Sequence, residues 1–350
     1  MTGVLSTLFP EESFNLFGIG QDIANEQERI NDANVNSINK SNETDETLEE
    51  RIKLGKSKVQ LYEPITEDEK RGFDSLGGMD DLKKKLRQDI IEPLKDPIRA
   101  EYNEKHFGIE MPKGILLYGP PGCGKTTIVE RLSVEAGLPL LKMQKDTFGS
   151  CFVDGTEQNI GAVFEYAKSI ATKEKPVLLF IDEMDATIGT RDAWDSHQNR
   201  ESQIGVFLPK IQDAFKNNII VIGAANHYEK IDQGIRGRLR QQFYIPLPDE
   251  KTRYSILKMK LTALDHGIKL AKNENAMQEL IRLTEQFDIR ALEDIVDASK
   301  KEAFYDKNGI RDITLDDMKK AIKDNIDKRS KEKDFQPSSR RKSAGFNTNA

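Results

Sequence analysis

Short apolar runs alternate with amphipathic segments through the middle of the chain. Five runs have the length and apolar character of buried strands, and the segments between them, such as 158–172, carry apolar residues at helical spacing. The predicted strands cover residues 114–118, 138–142, 177–181, 219–223 and 242–245. This alternation predicts an α/β fold, in which a five-stranded parallel sheet is flanked by helices on both faces.

Past Pro248 the hydrophobic period becomes purely helical. The four helices predicted there cover residues 250–261, 274–286, 290–305 and 315–326. The last one begins with Thr314 and Asp317 in the register of a capping box. Ahead of the strands, Asp80 opens a further helix, which is expected to end before Pro93. A small all-helical domain is therefore expected behind the α/β core.

Both ends of the chain have a different composition. Residues 21–50 are rich in Asn, Glu, Asp, Ser and Thr, which predicts a linker, and the Lys/Arg/Ser-rich end predicts a disordered tail. Apolar residues between positions 4 and 19 indicate either a docking peptide or a weakly ordered tail. The expected division is an N-terminal region at 1–71, a large α/β domain at 72–248, a helical domain at 249–327 and a basic tail at 328–350.

Charge and cysteine content indicate the expected cellular compartment and the expected class of partner. Acidic residues outnumber basic ones, 59 to 53, for a net charge of −6, so no basic footprint for nucleic acid or an anionic membrane is seen, and protein partners are expected. The two cysteines, Cys123 and Cys151, form no disulfide framework and suit a reducing compartment. No apolar run has the length of a membrane span. A cytoplasmic protein is expected.

The strand at 114–118 runs directly into a glycine-rich segment. That segment consists of Gly119, Pro120, Pro121, Gly122, Cys123, Gly124, Lys125 and Thr126, with Thr127 next. Its spacing matches G-x-x-x-x-G-K-[ST], in which glycines let backbone N–H groups turn towards a phosphate and the following helix offers its positive end. Lys125 then reaches the outer phosphates, and the Thr126 hydroxyl can ligate Mg²⁺. The alternative is a turn that binds nothing, but the preceding strand favours a nucleoside triphosphate site.

Cys123 lies within this segment, close to the predicted start of a helix. A thiol at a helix N terminus can have a lowered pKa, which would make oxidation a way to block phosphate entry. The alternative is a small side chain that the loop tolerates.

Two acidic residues follow the apolar strand at 177–181. Asp182, at the carboxyl end of that strand, is expected to hold the Mg²⁺ shell, and Glu183 to orient and deprotonate the attacking water. Asn226 follows the next apolar strand, and its amide can hold the same water from another side. An acidic turn and an Asn that caps a turn are the alternatives. Beside the phosphate loop, these residues predict hydrolysis of ATP with Mg²⁺ as the second cofactor.

These motifs together resemble the AAA subfamily of the AAA+ ATPases, which includes proteasomal ATPases, FtsH-type unfoldases and the katanin, spastin and ESCRT-disassembling enzymes. The segments that carry the resemblance are 73–78, 112–122, 182–183, 225–226 and 245–249, and it extends over roughly residues 72–327. It implies a P-loop AAA+ module with a helical lid, and an ATP-driven homo-oligomeric ring, usually a hexamer, whose active sites are completed by the neighbouring subunit.

The resemblance also implies roles for single residues. Gly77 and Gly78 would lie by the adenine, Asn226 would be the water sensor, and Arg238 is the best match to the arginine finger. Severing relatives have adjacent arginines, whereas position 237 is Gly here, so whether Arg236 or Arg240 supplies a second positive charge stays open.

In the helical domain, where many AAA members carry a Gly-Ala pair, residues 287–293 place Arg290 at the start of a helix. Other AAA+ branches use an arginine at such a position to touch the outer phosphate from the lid. The resemblance therefore gives Arg290 that role, with a surface salt bridge as the alternative.

Phe152 and Val153 match the family's loop that lines the central pore, although the usual glycine is Asp154. An aromatic side chain from each subunit can grip an extended peptide without reading its sequence. The alternative is that Phe152 packs beneath its own loop.

The function expected from these features is a ring-forming ATP hydrolase that remodels, unfolds or disassembles a protein substrate, with an adaptor as a further partner. An assembly switch that responds to ATP without threading a chain is the first alternative. Nucleic-acid remodelling rests only on basic residues of the tail and is disfavoured by the overall charge.

Overall fold

The computed structural model describes residues 47–108, 111–148, 153–187, 197–306 and 309–334. The strands are β1 (Val59–Leu61), β2 (Gly114–Tyr118), β3 (Leu140–Met143), β4 (Val177–Ile181), β5 (Ile219–Ala225) and β6 (Gln241–Tyr244). The helices are α1 (47–57), α2 (Asp80–Leu86), α3 (Glu92–Lys95), α4 (Pro97–Phe107), α5 (Lys125–Ala136), α6 (Val153–Ile170), α7 (Met184–Thr187), α8 (His197–Lys216), α9 (Gln233–Arg238), α10 (Glu250–Thr262), α11 (Ile268–Ala271), α12 (Glu274–Leu283), α13 (Ile289–Phe304) and α14 (Leu315–Asp334). Within these ranges no helix combines the length and the apolar character that a membrane span needs.

The strands form one six-stranded sheet in the order β1-β3-β4-β5-β2-β6. The five predicted strands are all present and pair in parallel. β2 and β4 have the predicted bounds, and the ends of β3, β5 and β6 are shifted by one or two residues. The sixth strand, β1, was not predicted, and it pairs antiparallel with β3 at the edge of the sheet. Its sequence signal is weak because it has three residues, of which only Val59 is buried. The sheet therefore begins ahead of residue 72, inside the segment assigned to the N-terminal region.

The central strands are buried on both faces, which explains their continuous apolar runs. In β4 every side chain is buried, and alternate residues enter two different clusters. One cluster lies under α6 and α8, where the rings of Phe164 and Phe207 pack edge to face at 5.7 Å between centroids. The other lies under α5 and includes Ile128 and the fully buried Phe73. The sheet is thus the middle layer of a three-layer α/β fold.

Helices α10–α14 bury a third apolar cluster of their own. The predicted capping box is confirmed, since the Thr314 backbone N donates to the Asp317 carboxylate at 2.8 Å and the Asp317 N donates to the Thr314 hydroxyl at 3.3 Å. The expected end of order near residue 328 is wrong for the first part of that tail, because α14 continues to Asp334. Polar composition alone did not reveal that this helix is anchored by tertiary contacts.

The helix that Asp80 opens, α2, ends at Leu86 and thus before Pro93, as predicted, but helical backbone continues beyond it. A π-helical turn, Arg87–Ile91, shifts the hydrogen-bonding register after α2, and α3 then begins with Pro93 in its first turn. Pro93 has no N–H to donate to the preceding turn, and the carbonyl oxygen of Asp89 accepts instead from the Gln241 side chain at 3.4 Å. The prediction lacked this continuation, in which the register shift allows a proline shortly after the π-helical turn.

Candidate nucleotide site

The phosphate loop joins β2 to α5 at the carboxyl edge of the sheet. Gly119, Gly122 and Gly124 have φ angles of 153°, 76° and 81°, in the region that favours glycine. A methyl group added at Gly119 would collide with the carbonyl oxygen of Ile245. The loop therefore requires glycine for conformation and for space. Lys125 begins α5, whose first N–H groups have no intrahelical acceptor and can bind an anion.

Lys125 is the central cation of this loop and is buried, with 8% of its surface exposed. Its Nζ donates to the carbonyl oxygens of Gly119 and Pro120, both at 2.8 Å, and to Oδ1 of Asn226 at 2.7 Å. Burial lowers the pKa of the ammonium, and this shift is opposed by the negative charge of nearby groups, among them Asp182. Since all three acceptors are uncharged oxygens, an anionic phosphate is a stronger acceptor for the same ammonium.

Cys123 is fully buried in the loop, and the suggested lowering of its pKa is wrong in direction. Burial raises the pKa of the thiol, with Lys125 opposing and Asp288 adding to the increase. Desolvation of the thiolate outweighs the positive end of the helix. Cys123 is thus a packed small side chain of the loop.

Thr126 and Asp182 lie side by side, and their contact joins the start of α5 to the end of β4. The Thr126 hydroxyl donates to Oδ2 of Asp182 at 2.8 Å, and the Glu183 N donates to Oδ1 of the same carboxylate at 2.8 Å. Hard oxygen donors of this kind are what Mg²⁺ prefers, so the pair fits that ion. Glu183 has a left-handed backbone, with φ of 49°, and an exposed side chain. The acidic pair therefore divides into an inward Asp182 and an outward Glu183.

Asp185 was not singled out in the sequence, yet it positions the tip of β5. Its two carboxylate oxygens accept from the backbone N–H groups of Asn226 and His227, both at 3.1 Å. The Asn226 amide is thereby held towards Lys125. The available signal was a third acidic residue, two positions after Glu183, and its carboxylate binds the backbone of the neighbouring strand.

Gly77 and Gly78 lie against the helical domain. An added methyl group would fall 2.9 Å from Cγ1 of Ile256 at Gly77 and 2.6 Å from Cα of Thr252 at Gly78. The Met79 backbone N also donates to the Thr252 hydroxyl at 3.3 Å. This turn therefore packs directly on the first turns of α10.

Arg290 reaches the phosphate loop with its backbone. Its N–H donates to the Gly122 carbonyl oxygen at 3.3 Å, while its side chain is exposed. The start of α13 therefore contacts the loop, and the Arg290 side chain is not part of that contact.

Arg238 lies at the other end of the sheet. Its carbonyl oxygen is 2.5 Å from where a methyl group on Gly114 would stand, and Gly114 opens β2, whereas the phosphate loop follows the last residue of β2. At about 3.3 Å per strand residue, the two ends are about 16 Å apart. The Arg238 Nη1 donates back to the Gly234 carbonyl oxygen at 3.0 Å. The Arg236 guanidinium lies 4.8 Å from the ring centroid of Tyr228, and Arg240 is exposed.

The two residues predicted to form a pore loop lie where a gap in the described residues ends. Phe152 lies outside the described residues, and Val153 is described only through its backbone, as the first residue of α6. Their assignment stays a prediction.

Comparison with known proteins agrees with the fold and the motifs. The family model described as "ATPase family associated with various cellular activities (AAA)" matches residues 115–247. Cell division protein C of Sulfolobus acidocaldarius is 31% identical over 267 residues, which cover 74% of this chain and 68% of that protein. The ATP-dependent zinc metalloprotease FtsH of Aquifex aeolicus is 32% identical over 276 residues, covering 77% of this chain and 40% of that protein.

A further relative and a solved structure are also similar to this chain. The ATPase family gene 2 protein homolog B of Bos taurus is 32% identical over 274 residues, covering 67% of this chain and 35% of that protein. The chain therefore spans less than half the length of this relative and of FtsH. The crystal structure of the FIGL-1 AAA domain with ADP superposes with a TM-score of 0.61 at 23% identity, covering 82% of this chain and 97% of that chain, which shows a shared fold.

The chain belongs to the AAA family of ATPases, as its motifs predicted. It is accordingly a nucleotide-binding ATP hydrolase with an α/β P-loop fold.

Proposed function

We propose that this protein is a ring-forming, Mg²⁺-dependent ATPase that remodels protein substrates, with Arg238 of one subunit completing the site of the next. The observation that supports this most is the separation, by the length of β2, between Arg238 and the phosphate loop of its own chain. A cation that takes part in hydrolysis but lies at the wrong end of its own sheet must act on another copy.

The polar residues at the carboxyl edge of the sheet have different roles in binding and hydrolysis. Lys125 and the N–H groups at the start of α5 bind the outer phosphates, while Thr126 and Asp182 hold Mg²⁺. Bound Mg²⁺ would neutralise charge on the β- and γ-phosphate oxygens. Glu183, with its exposed carboxylate, accepts a proton from the attacking water, and Asn226 orients that water. Asp185 contributes by fixing the backbone of Asn226.

Base recognition falls to the turn that packs on α10. Gly77 and Gly78 bring backbone amides close to the helical domain, where side chains would not fit. We assign the adenine to the space beside this turn. The exposed Arg290 side chain is proposed to reach the outer phosphate from the helical domain, since its backbone N–H already contacts the phosphate loop.

Arg238 supplies positive charge where negative charge develops during phosphoryl transfer. An arginine finger accelerates hydrolysis by about 10³ to 10⁵, which corresponds to about 4–7 kcal/mol. A single subunit should therefore bind ATP well and hydrolyse it very slowly.

Mixing two inactive variants tests the shared site. Arg238→Ala has an intact pocket but no finger to donate, and Glu183→Gln has a finger but no base. Each alone should be nearly inactive, and the mixture should regain ATPase activity because a Glu183→Gln subunit can complete an Arg238→Ala pocket. The double variant Glu183→Gln/Arg238→Ala is the control, since it cannot complete the pocket. A mixture that co-assembles but stays inactive would rule out the shared arginine.

Protein remodelling is proposed from the relatives. FtsH is by name an ATP-dependent zinc metalloprotease, so the region similar to this chain belongs to an enzyme that acts on proteins. Remodelling of a protein substrate is the function we assign to the ATPase module. Phe152→Ala should keep basal ATPase activity and lose the ability to unfold a protein substrate. Full unfolding activity in Phe152→Ala would leave an ATP-controlled assembly switch as the better account.

A further inference from the structure

Asp288 connects three parts of the molecule through one carboxylate. It caps the N terminus of α13, because its Oδ1 accepts from the Ala291 backbone N at 2.9 Å. Its Oδ2 accepts from Nη2 of Arg329 at 2.7 Å. Arg329 belongs to α14, so this ion pair ties the last helix of the described chain to the start of α13.

The capped end of α13 rests on the phosphate loop. A methyl group at Gly122 would lie 2.7 Å from Oδ1 of Asp288, and one at Gly124 would lie 3.3 Å from Cδ1 of Ile289. The Arg290 N–H also donates to the Gly122 carbonyl oxygen at 3.3 Å. Because of these contacts, a movement of the start of α13 would displace the phosphate loop.

Arg329 holds this end of α13 in two ways. Besides the ion pair, its guanidinium lies 5.1 Å from the ring centroid of Phe287, the residue before Asp288. The Asp288 side chain is 21% exposed, so the pair is partly shielded from water. Partly buried pairs are screened less than exposed ones, and their loss has larger consequences.

The charge of Asp288 matters for an anionic ligand. A carboxylate packed against a phosphate loop opposes the binding of a polyphosphate unless a cation neutralises it. Arg329 provides that cation from outside the loop. Removing Arg329 would both release the start of α13 and leave an unpaired negative charge beside the phosphates.

We propose that Arg329 is a nucleotide-positioning residue: through Asp288 it fixes the start of α13 on the phosphate loop and thereby sets nucleotide affinity. The inference rests on the nucleotide site proposed above. Arg329 acts through another residue, and the basic end of the chain is thus linked to the nucleotide site.

The test is the dissociation constant of a fluorescent ADP analogue, measured by anisotropy on the full chain at fixed salt. Arg329→Gln should weaken binding about tenfold, and Arg329→Lys, which keeps the charge but not the fork, should recover part of that loss. Lys320→Gln is the matched control, because it removes another pair between α14 and α13, with Glu302 at 2.9 Å, that does not touch the loop. It should bind within twofold of the parent chain.

A double-mutant cycle separates positioning from general destabilisation. Asp288→Asn keeps a capping oxygen but cannot form the ion pair, so adding Arg329→Gln to it should change the dissociation constant by less than twofold. Unchanged binding in Arg329→Gln, equal losses in Lys320→Gln, or a full tenfold loss on the Asp288→Asn background would overturn the proposal. Failure of the nucleotide site itself has a different signature, since Lys125→Ala would then leave binding intact.

Discussion

The two ends of the parallel sheet are built differently. At the carboxyl edge, polar groups of neighbouring strands satisfy one another: Lys125 bonds to Asn226, Thr126 to Asp182, and Asp185 to the tip of β5. Near the opposite end, the Nε atom of Arg238 is buried and has no hydrogen-bond partner within the described chain, although its Nη1 donates to the Gly234 carbonyl oxygen. The carboxyl edge is held by a network of polar side chains, whereas the Arg238 guanidinium bonds only to the backbone of its own helix among the described residues.

The difference has a physical origin. An anion site must exist before its ligand arrives, so the phosphate edge is preorganised by backbone oxygens and by glycines that no other residue can replace. If Arg238 completes another subunit's site, as we propose, it has no such need, because its acceptor would come with the neighbour. If the two ends differ in function as they differ in structure, substitutions at the two ends should change different quantities.

The largest expected effect is on hydrolysis in Arg238→Ala. We expect kcat to fall by about 10³ to 10⁵ while the ATP dissociation constant changes by less than about threefold, since the arginine is remote from its own loop. Steady-state ATPase assays and equilibrium ATP binding measure the two quantities separately. A comparable loss of ATP binding would mean that Arg238 serves its own pocket.

Lys125→Ala should weaken nucleotide binding, which Arg238→Ala should leave nearly unchanged. Charge-assisted hydrogen bonds contribute about 1.5–3 kcal/mol, so nucleotide affinity should fall by about 10- to 100-fold. Calorimetric titration with ADP measures the loss, and circular dichroism checks that the fold is kept. Binding within twofold of the parent chain would show that the ammonium remains with Gly119, Pro120 and Asn226 when nucleotide binds.

Much of the carboxyl edge of the sheet could be predicted from the sequence. β2, β4 and β5 are buried on both faces, so their apolar runs stand out, and the side chains at their carboxyl ends mark the phosphate edge. The edge strand β1 was missed because two of its three residues are exposed. Local patterns carry information about burial and turns, and little about which strand lies at an edge.

Residues that act through others were also missed. Asp185 accepts from backbone N–H groups 41 and 42 residues away, and Arg329 pairs with Asp288 across 41 residues. Neither pairing leaves a trace in periodicity or composition, and the basic character of residues 328–334 favoured a disordered tail over a helix end. Such contacts become visible only once the topology brings the elements together.

Asp185→Asn should have an intermediate effect, confined to turnover. The variant retains one acceptor for the two N–H groups and brings an amide donor against the other, so Asn226 should lose its orientation. We expect kcat to fall about tenfold with little change in ADP affinity. The control is Glu229→Gln, which removes a carboxylate 3.4 Å from the His227 ring without touching the backbone. Equal effects of both variants would assign the loss to charge alone.

The smallest effect is expected at Gly237, and it sharpens the comparison from the arginine end. A methyl group there meets nothing within 4 Å, and its φ needs no glycine, in contrast to Gly119 in the phosphate loop. Gly237→Ala should leave ATPase activity within twofold and stabilise α9 by at most about 1 kcal/mol, because alanine favours a helix over glycine. Gly119→Ala should instead lose nucleotide binding. Activity and urea denaturation of both variants measure this, and a large loss in Gly237→Ala would mean that the arginine end fits a neighbouring subunit as tightly as the loop fits Ile245.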